Sequence, residues 1–92
     1  MGRSQIIKLY LPHQRPQIVD LREVAPRVYR LNIFDRFDRV ETLHGEDIGL
    51  DIILFRSTRF PRITRLVMKK DFSQAIFRNF EGQEIEVDVH KL

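Results

Sequence analysis

The sequence predicts an α+β fold, mainly antiparallel β: about six strands in a sheet or small barrel, with one helix before the last strand. Three observations predict it. Apolar residues recur at every second position in short runs, as in Ile7, Leu9 and Leu11 or Ile85, Val87 and Val89. Turn-forming residues separate the runs, as in Pro12 to Pro16, Asp35 to Asp38 and His44 to Asp47. One segment, Asp71 to Phe80, instead spaces Phe72, Ala75, Ile76 and Phe80 at the helical period.

The first strand is Gln5 to Leu11, with Ile7, Leu9 and Leu11 on one face. Gln17 to Ala25 is ambiguous. Ile18, Leu21 and Ala25 fit a helix, whereas Val19 and Leu21 alternate with Asp20 and Arg22 as in a strand, and the strand is favoured. Pro26 ends this element either way. Arg27 to Asp35 reads as a strand with Tyr29, Leu31 and Ile33 on one face, and Arg39 to His44 as its return. His44-Gly45-Glu46-Asp47 then has the composition of a tight turn, with Gly45 able to supply a positive φ. Ile48 to Phe55 is apolar on both faces and is expected at the centre of the sheet, with Asp51 reaching water or a partner.

Thr64 to Lys69 is the next strand, with Leu66 and Met68 opposite Val67. The helix follows. Asp71 is its N-cap, Gln74 completes a capping box, and Gly82 takes the left-handed C-terminal position. Glu84 to His90 is the last strand, with Ile85, Val87 and Val89 inward and Glu84, Glu86, Asp88 and His90 outward.

At 92 residues, residues 1–92 form a single domain with a modest core. Hydrophobic residues make up 42% and charged residues 32%, a balance that folds. Cysteine is absent, so no disulfide framework or thiolate metal site exists, in keeping with a reducing compartment. No apolar run reaches the roughly 18 residues of a membrane span. The start, Met1-Gly2-Arg3-Ser4-Gln5, lacks a signal-peptide core, and a myristoylation motif beginning at Gly2 would want Ser or Thr where Ile6 stands. The expected location is cytoplasmic, with no membrane contact.

Catalytic chemistry is not indicated. His13, His44 and His90 are scattered, no glycine-rich phosphate loop or nucleophile elbow occurs, and no cofactor is implied. The His44–Asp47 group and the Glu84, Glu86, Asp88, His90 face each resemble a weak metal site, but a solvated turn and the wet face of a strand are the commoner outcomes. No catalytic or metal-binding residue is assigned, and the chain is read as a non-enzymatic protein.

Charge is more informative. The net charge is +3, yet residues Arg56 to Lys70 carry six basic side chains and no acid, which leaves the remainder net negative. Arg56, Arg59, Arg62 and Arg65 recur every third residue around Phe60, with Ser57, Thr58 and Thr64 among them. Arginine and hydroxyl side chains contact phosphates, and aromatic rings stack on bases. Arg56, Arg59, Phe60, Arg62, Arg65, Lys69 and Lys70 are therefore the candidate nucleic-acid-binding residues, for DNA or RNA. If this segment is extended around Pro61, a period of three aligns its arginines on one edge. A solvated or ion-paired basic face is the competing reading. Phe34-Asp35-Arg36-Phe37-Asp38-Arg39 looks like an ion-paired turn.

Arginine and aromatic residues are also enriched at protein interfaces, and an open sheet has edges that invite pairing. The alternative expectation is thus an adaptor or structural subunit that binds a protein partner or forms a homo-oligomer.

Overall fold

The structure, a computed structural model, describes residues 3–92. Gly2, and with it the myristoylation motif, lies outside the described residues. Eight strands follow one another: β1 (Arg3–Tyr10), β2 (Gln17–Ala25), β3 (Val28–Phe34), β4 (Val40–Gly49), β5 (Ile52–Ser57), β6 (Arg65–Lys69), β7 (Ala75–Arg78) and β8 (Glu84–Lys91). Each pairs antiparallel with the next, and β8 pairs with β1 through Leu9–Val89 and neighbouring positions, which closes the barrel. The expected α+β class with one helix is therefore corrected to an all-β, eight-stranded closed barrel. Closure leaves no sheet edge, so edge pairing gives no ground for self-association.

Period-two patterning sorts the wall into two faces. Ile7, Leu9, Val19, Leu21, Leu31, Ile33, Leu43, Ile53, Phe55, Leu66, Met68, Ala75, Phe77, Val87 and Val89 are buried together with Leu11. An eight-stranded barrel is just wide enough for such side chains to fill it. The faces expected for the first strand, for Leu66 and Met68, and for Val87 and Val89 hold, and the ambiguous Gln17–Ala25 segment is a strand.

The expected helix is absent because its residues serve two hairpins. The Asp71 carboxylate accepts the Ser73 amide at 2.9 Å, while the Lys69 amide donates to the Gln74 carbonyl at 2.9 Å and Phe72 turns at φ 63°. That is a hairpin loop, not a capping box. Ala75 and Phe77 then point into the barrel, Ile76 points out, and Phe80 is 63% exposed in the next turn. Helical spacing in this segment loses to pairing: β7 joins β6 to β8, and without it both would leave backbone groups unpaired. Gly82 does adopt a positive φ, 83°, but within the β7–β8 turn.

The expected turn at His44–Asp47 is also corrected. Gly45 lies mid-strand and buried, directly opposite Phe55. The chain reverses instead at Gly49, Leu50 and Asp51, with φ of 88°, 57° and 60°. The apolar run from Ile48 to Phe55 is thus the end of β4, a hairpin tip with Leu50 91% exposed, and β5.

At the far end of β2 a side chain completes the sheet. The buried Gln17 amide donates to the Phe34 carbonyl at 3.0 Å and accepts the Phe34 amide at 2.8 Å, so it stands in for a backbone pair.

Candidate nucleic-acid interface

Strand direction divides the candidate residues. The β5–β6 loop, with Arg59, Phe60 and Arg62, shares one end of the barrel with the β1–β2, β3–β4 and β7–β8 loops. Lys69 and Lys70 fall at the opposite end. There Lys70 forms an ion pair with the Asp47 carboxylate, which also accepts the Gly49 amide at 2.9 Å. Hydrogen bonding from Lys70 and then from Gly49 holds the Asp47 carboxyl below the ordinary carboxylate range, and Asp47 in turn raises Lys70. The sequence segment is therefore not one surface, and Lys70 is occupied.

Arg56 and Arg65 project from the outer wall, where they are register partners on β5 and β6. The period-of-three alignment fails here because these two lie in strands while Arg59 and Arg62 lie in a folded loop. Ser57, buried at the end of β5, accepts the amides of Arg59 at 3.2 Å and Phe60 at 3.0 Å. The Phe60 carbonyl accepts the amides of Ile63 and Thr64. The loop is thereby fixed from within, and Arg59 and Arg62 are presented to solvent.

Barrel register adds residues that sequence reading missed. Arg22 pairs with Arg30, Arg30 with His44, His44 with Arg56, Arg56 with Arg65, and Arg65 with Arg78. Their neighbours Leu21, Leu31, Leu43, Phe55, Leu66 and Phe77 point inward, so all six point outward. The result is a continuous basic row across six adjacent strands. Acids meet it at both ends, where Asp20 bridges Arg22 at 2.9 Å and Glu84 bridges Arg78 at 3.1 Å, and within it, where Glu46 lies 3.4 Å from His44 on β4. Arg30, Arg56, Arg65, Arg59 and Arg62 have no ion-pair partner among the described residues. No motif in the sequence could reveal this row, because it depends on where each hairpin turns.

Aromatic rings cluster at the loop end. Phe60 and Phe80 meet edge to face with ring centres 5.7 Å apart, and Phe60 is 39% exposed. Phe37, 62% exposed, lies under the guanidinium groups of Arg36 at 5.0 Å and Arg39 at 5.4 Å. The ion-paired reading of that turn is corrected. The Asp35 carboxylate accepts the Phe37 and Arg39 amides, and Arg36 approaches Glu81 of the β7–β8 turn at 4.0 Å. The three histidines lie on separate elements, in the β1–β2 loop, β4 and β8, and no group of three metal-ligating side chains gathers among the described residues. Among the described residues no helix is long and apolar enough to cross a membrane.

Comparison of the chain with protein-family models, curated proteins and solved structures found no match.

Proposed function

We propose that the protein is a small non-enzymatic binding module that contacts nucleic-acid phosphates through Arg30, Arg56 and Arg65 on the barrel wall and Arg59 and Arg62 in the adjoining loop, with Phe60 available to a base. Lys69 and Lys70 are left out of the surface because of their position. The observation that supports this reading is the direct opposition of Arg56 and Arg65, neither of them ion-paired with an acid among the described residues. Like charges opposite one another across strands destabilise a sheet, and a bound polyanion relieves that cost. Arginine suits the task because its planar fork meets phosphate oxygens two at a time.

The test is a binding titration of the purified protein against DNA and RNA at several salt concentrations. With three or four phosphates engaged, log affinity falls against log salt with a slope between about −2 and −4. Co-purified nucleic acid, visible as excess absorbance at 260 nm against a chain with no Trp and two Tyr, would agree. Absence of salt-dependent association with every DNA and RNA tested overturns the proposal.

A second reading has its own observation. Phe34 and Val40 are register partners on the outer wall, both exposed, and Ile18 is exposed on the neighbouring β2. An apolar group of this kind suits a protein partner or a second copy of the chain. A mass measurement in solution separates self-association from a monomer.

A further inference from the structure

Resting on the phosphate-binding reading, we infer that the ligand is single-stranded nucleic acid that curves around the barrel along the arginine row. The row is one residue wide and follows the register across β2 to β7, six of the eight strands, with arginine on five of them and His44 on β4. Because the strands of such a barrel tilt roughly 35–45° from its axis, each step in register climbs the wall as it goes round and turns the outward direction by about 25°. Arg30 and Arg65, three strands apart, therefore face directions that differ by about 75° while standing roughly 14 Å apart along the wall.

A duplex is stiff, with a persistence length of about 150 base pairs. Laid against a body of 32 × 27 × 23 Å, it touches the wall at a tangent and reaches two or three neighbouring strands. It lies flat against Arg56 together with Arg65, or Arg30 together with His44, and meets Arg30 together with Arg65 only obliquely. Entering a duplex groove calls for a protruding helix or two-stranded ribbon, and the Arg56–Arg65 wall carries neither. A single strand bends freely and can keep its phosphates on the row.

The aromatic group extends the same path. Phe80 lies two residues beyond Arg78, the β7 member of the row, and its ring meets Phe60 of the loop that carries Arg59 and Arg62. Bases unstacked from a duplex can lie on such rings, whereas paired bases inside a helix cannot. Phosphates on the row and a base at Phe60 and Phe80 form one continuous surface.

The test uses the full chain with fluorescently labelled oligo-dT and oligo-rU of increasing length and a mixed-sequence duplex, at one moderate salt concentration and then across a salt series. On single strands, affinity should rise with length and level off near the short end of the roughly 4–16-nucleotide range of small barrels. The duplex, whose paired bases cannot stack on Phe60 and Phe80, should bind about tenfold or more weakly. Arg30→Gln and Arg65→Gln, both outward-facing changes, should each flatten the single-strand salt slope by about 0.7. Their melting temperatures serve as the folding control. Duplex binding as tight as single-strand binding overturns the inference and leaves the phosphate-binding reading in place, as does single-strand binding sensitive to Arg65→Gln and indifferent to Arg30→Gln. Failure to bind any of the oligonucleotides overturns that reading and this inference with it.

Discussion

The ring of Phe55 fills the space that a side chain at position 45 would occupy. A Cβ built on Gly45 would stand 2.5 Å from Phe55 Cε1, 2.7 Å from Cδ1 and 3.1 Å from Ile53 Cγ2. Gly45 and Phe55 are register partners on β4 and β5, and Phe55 is wholly buried. The glycine is thus demanded by packing and not by backbone conformation, and the largest fully buried side chain of the barrel is admitted by the smallest residue of its wall.

Gly45→Ala is therefore expected to destabilise the protein by about 1–3 kcal/mol, the usual range for overpacking a filled core. Thermal or urea melting measures it. Combining Gly45→Ala with Phe55→Leu should cost less than the sum of the two single changes, since the smaller side chain vacates the contested volume. Strict additivity would show that the ring is not what excludes the methyl.

Gln17 offers a second test of the wall. Its amide supplies both a donor and an acceptor to the Phe34 backbone. Gln17→Leu keeps comparable bulk and removes both, leaving a part-buried amide and carbonyl unpaired at a cost of about 1–3 kcal/mol. Amide hydrogen exchange at Phe34 should quicken more than the change in global stability explains. Unchanged exchange would mean that water already satisfies these groups.

Much of the inside-outside pattern was legible in the sequence. Ile7, Leu9, Leu66, Met68, Val87 and Val89 follow a period of two that needs no knowledge of neighbouring strands. The β7 segment was not legible, because Phe72, Ala75, Ile76 and Phe80 satisfy a helical stripe while Ala75 and Phe77 satisfy a strand, and only the partners Leu66 and Ile85 decide between them. Gly45 misled for a related reason: glycine between charged residues signals a turn unless an opposite ring requires it. The candidate site was legible as to residue type and misjudged as to extent. Arg56 and Arg65 share a surface, but Arg22, Arg30 and Arg78 join them through register, which local sequence does not encode, and Lys70 is lost to Asp47.

The Asp47–Lys70 pair sets a pH dependence. Asp47 has a folded pKa below its unfolded value, so its contribution is present above the unfolded carboxylate pKa, about 3.9, and is lost as pH falls through the folded value. Lys70 is raised, so its contribution is present below the unfolded lysine pKa, about 10.4, and is lost as pH rises through the folded value. Stability from this pair is complete between those limits. Asp47→Asn should lower the melting temperature at neutral pH and flatten its decline in acid. An acid decline as steep in Asp47→Asn as in the parent protein would assign that decline to other carboxylates.

Arg65 provides the sharpest separation of stability from function. It stands between Arg56 and Arg78 and meets a like charge on each side. Cross-strand charge pairs are worth roughly 0.2–1 kcal/mol, and solvent screening at this half-exposed wall keeps the effect toward the lower end. Arg78 is already bridged by Glu84, so Arg65→Glu acts mainly by turning the repulsion from Arg56 into an attraction and should stabilise the fold by about 0.5–1 kcal/mol. In a domain of this size that raises the melting temperature by a few degrees. The same change places a negative charge in the middle of the arginine row and should weaken nucleic-acid binding more than Arg65→Gln does. A more stable protein that binds less well indicates that the row is kept for its ligand at the expense of the fold. If Arg65→Glu leaves stability unchanged or lowers it, the opposed arginines are not strained, and the argument that a polyanion relieves them loses its ground.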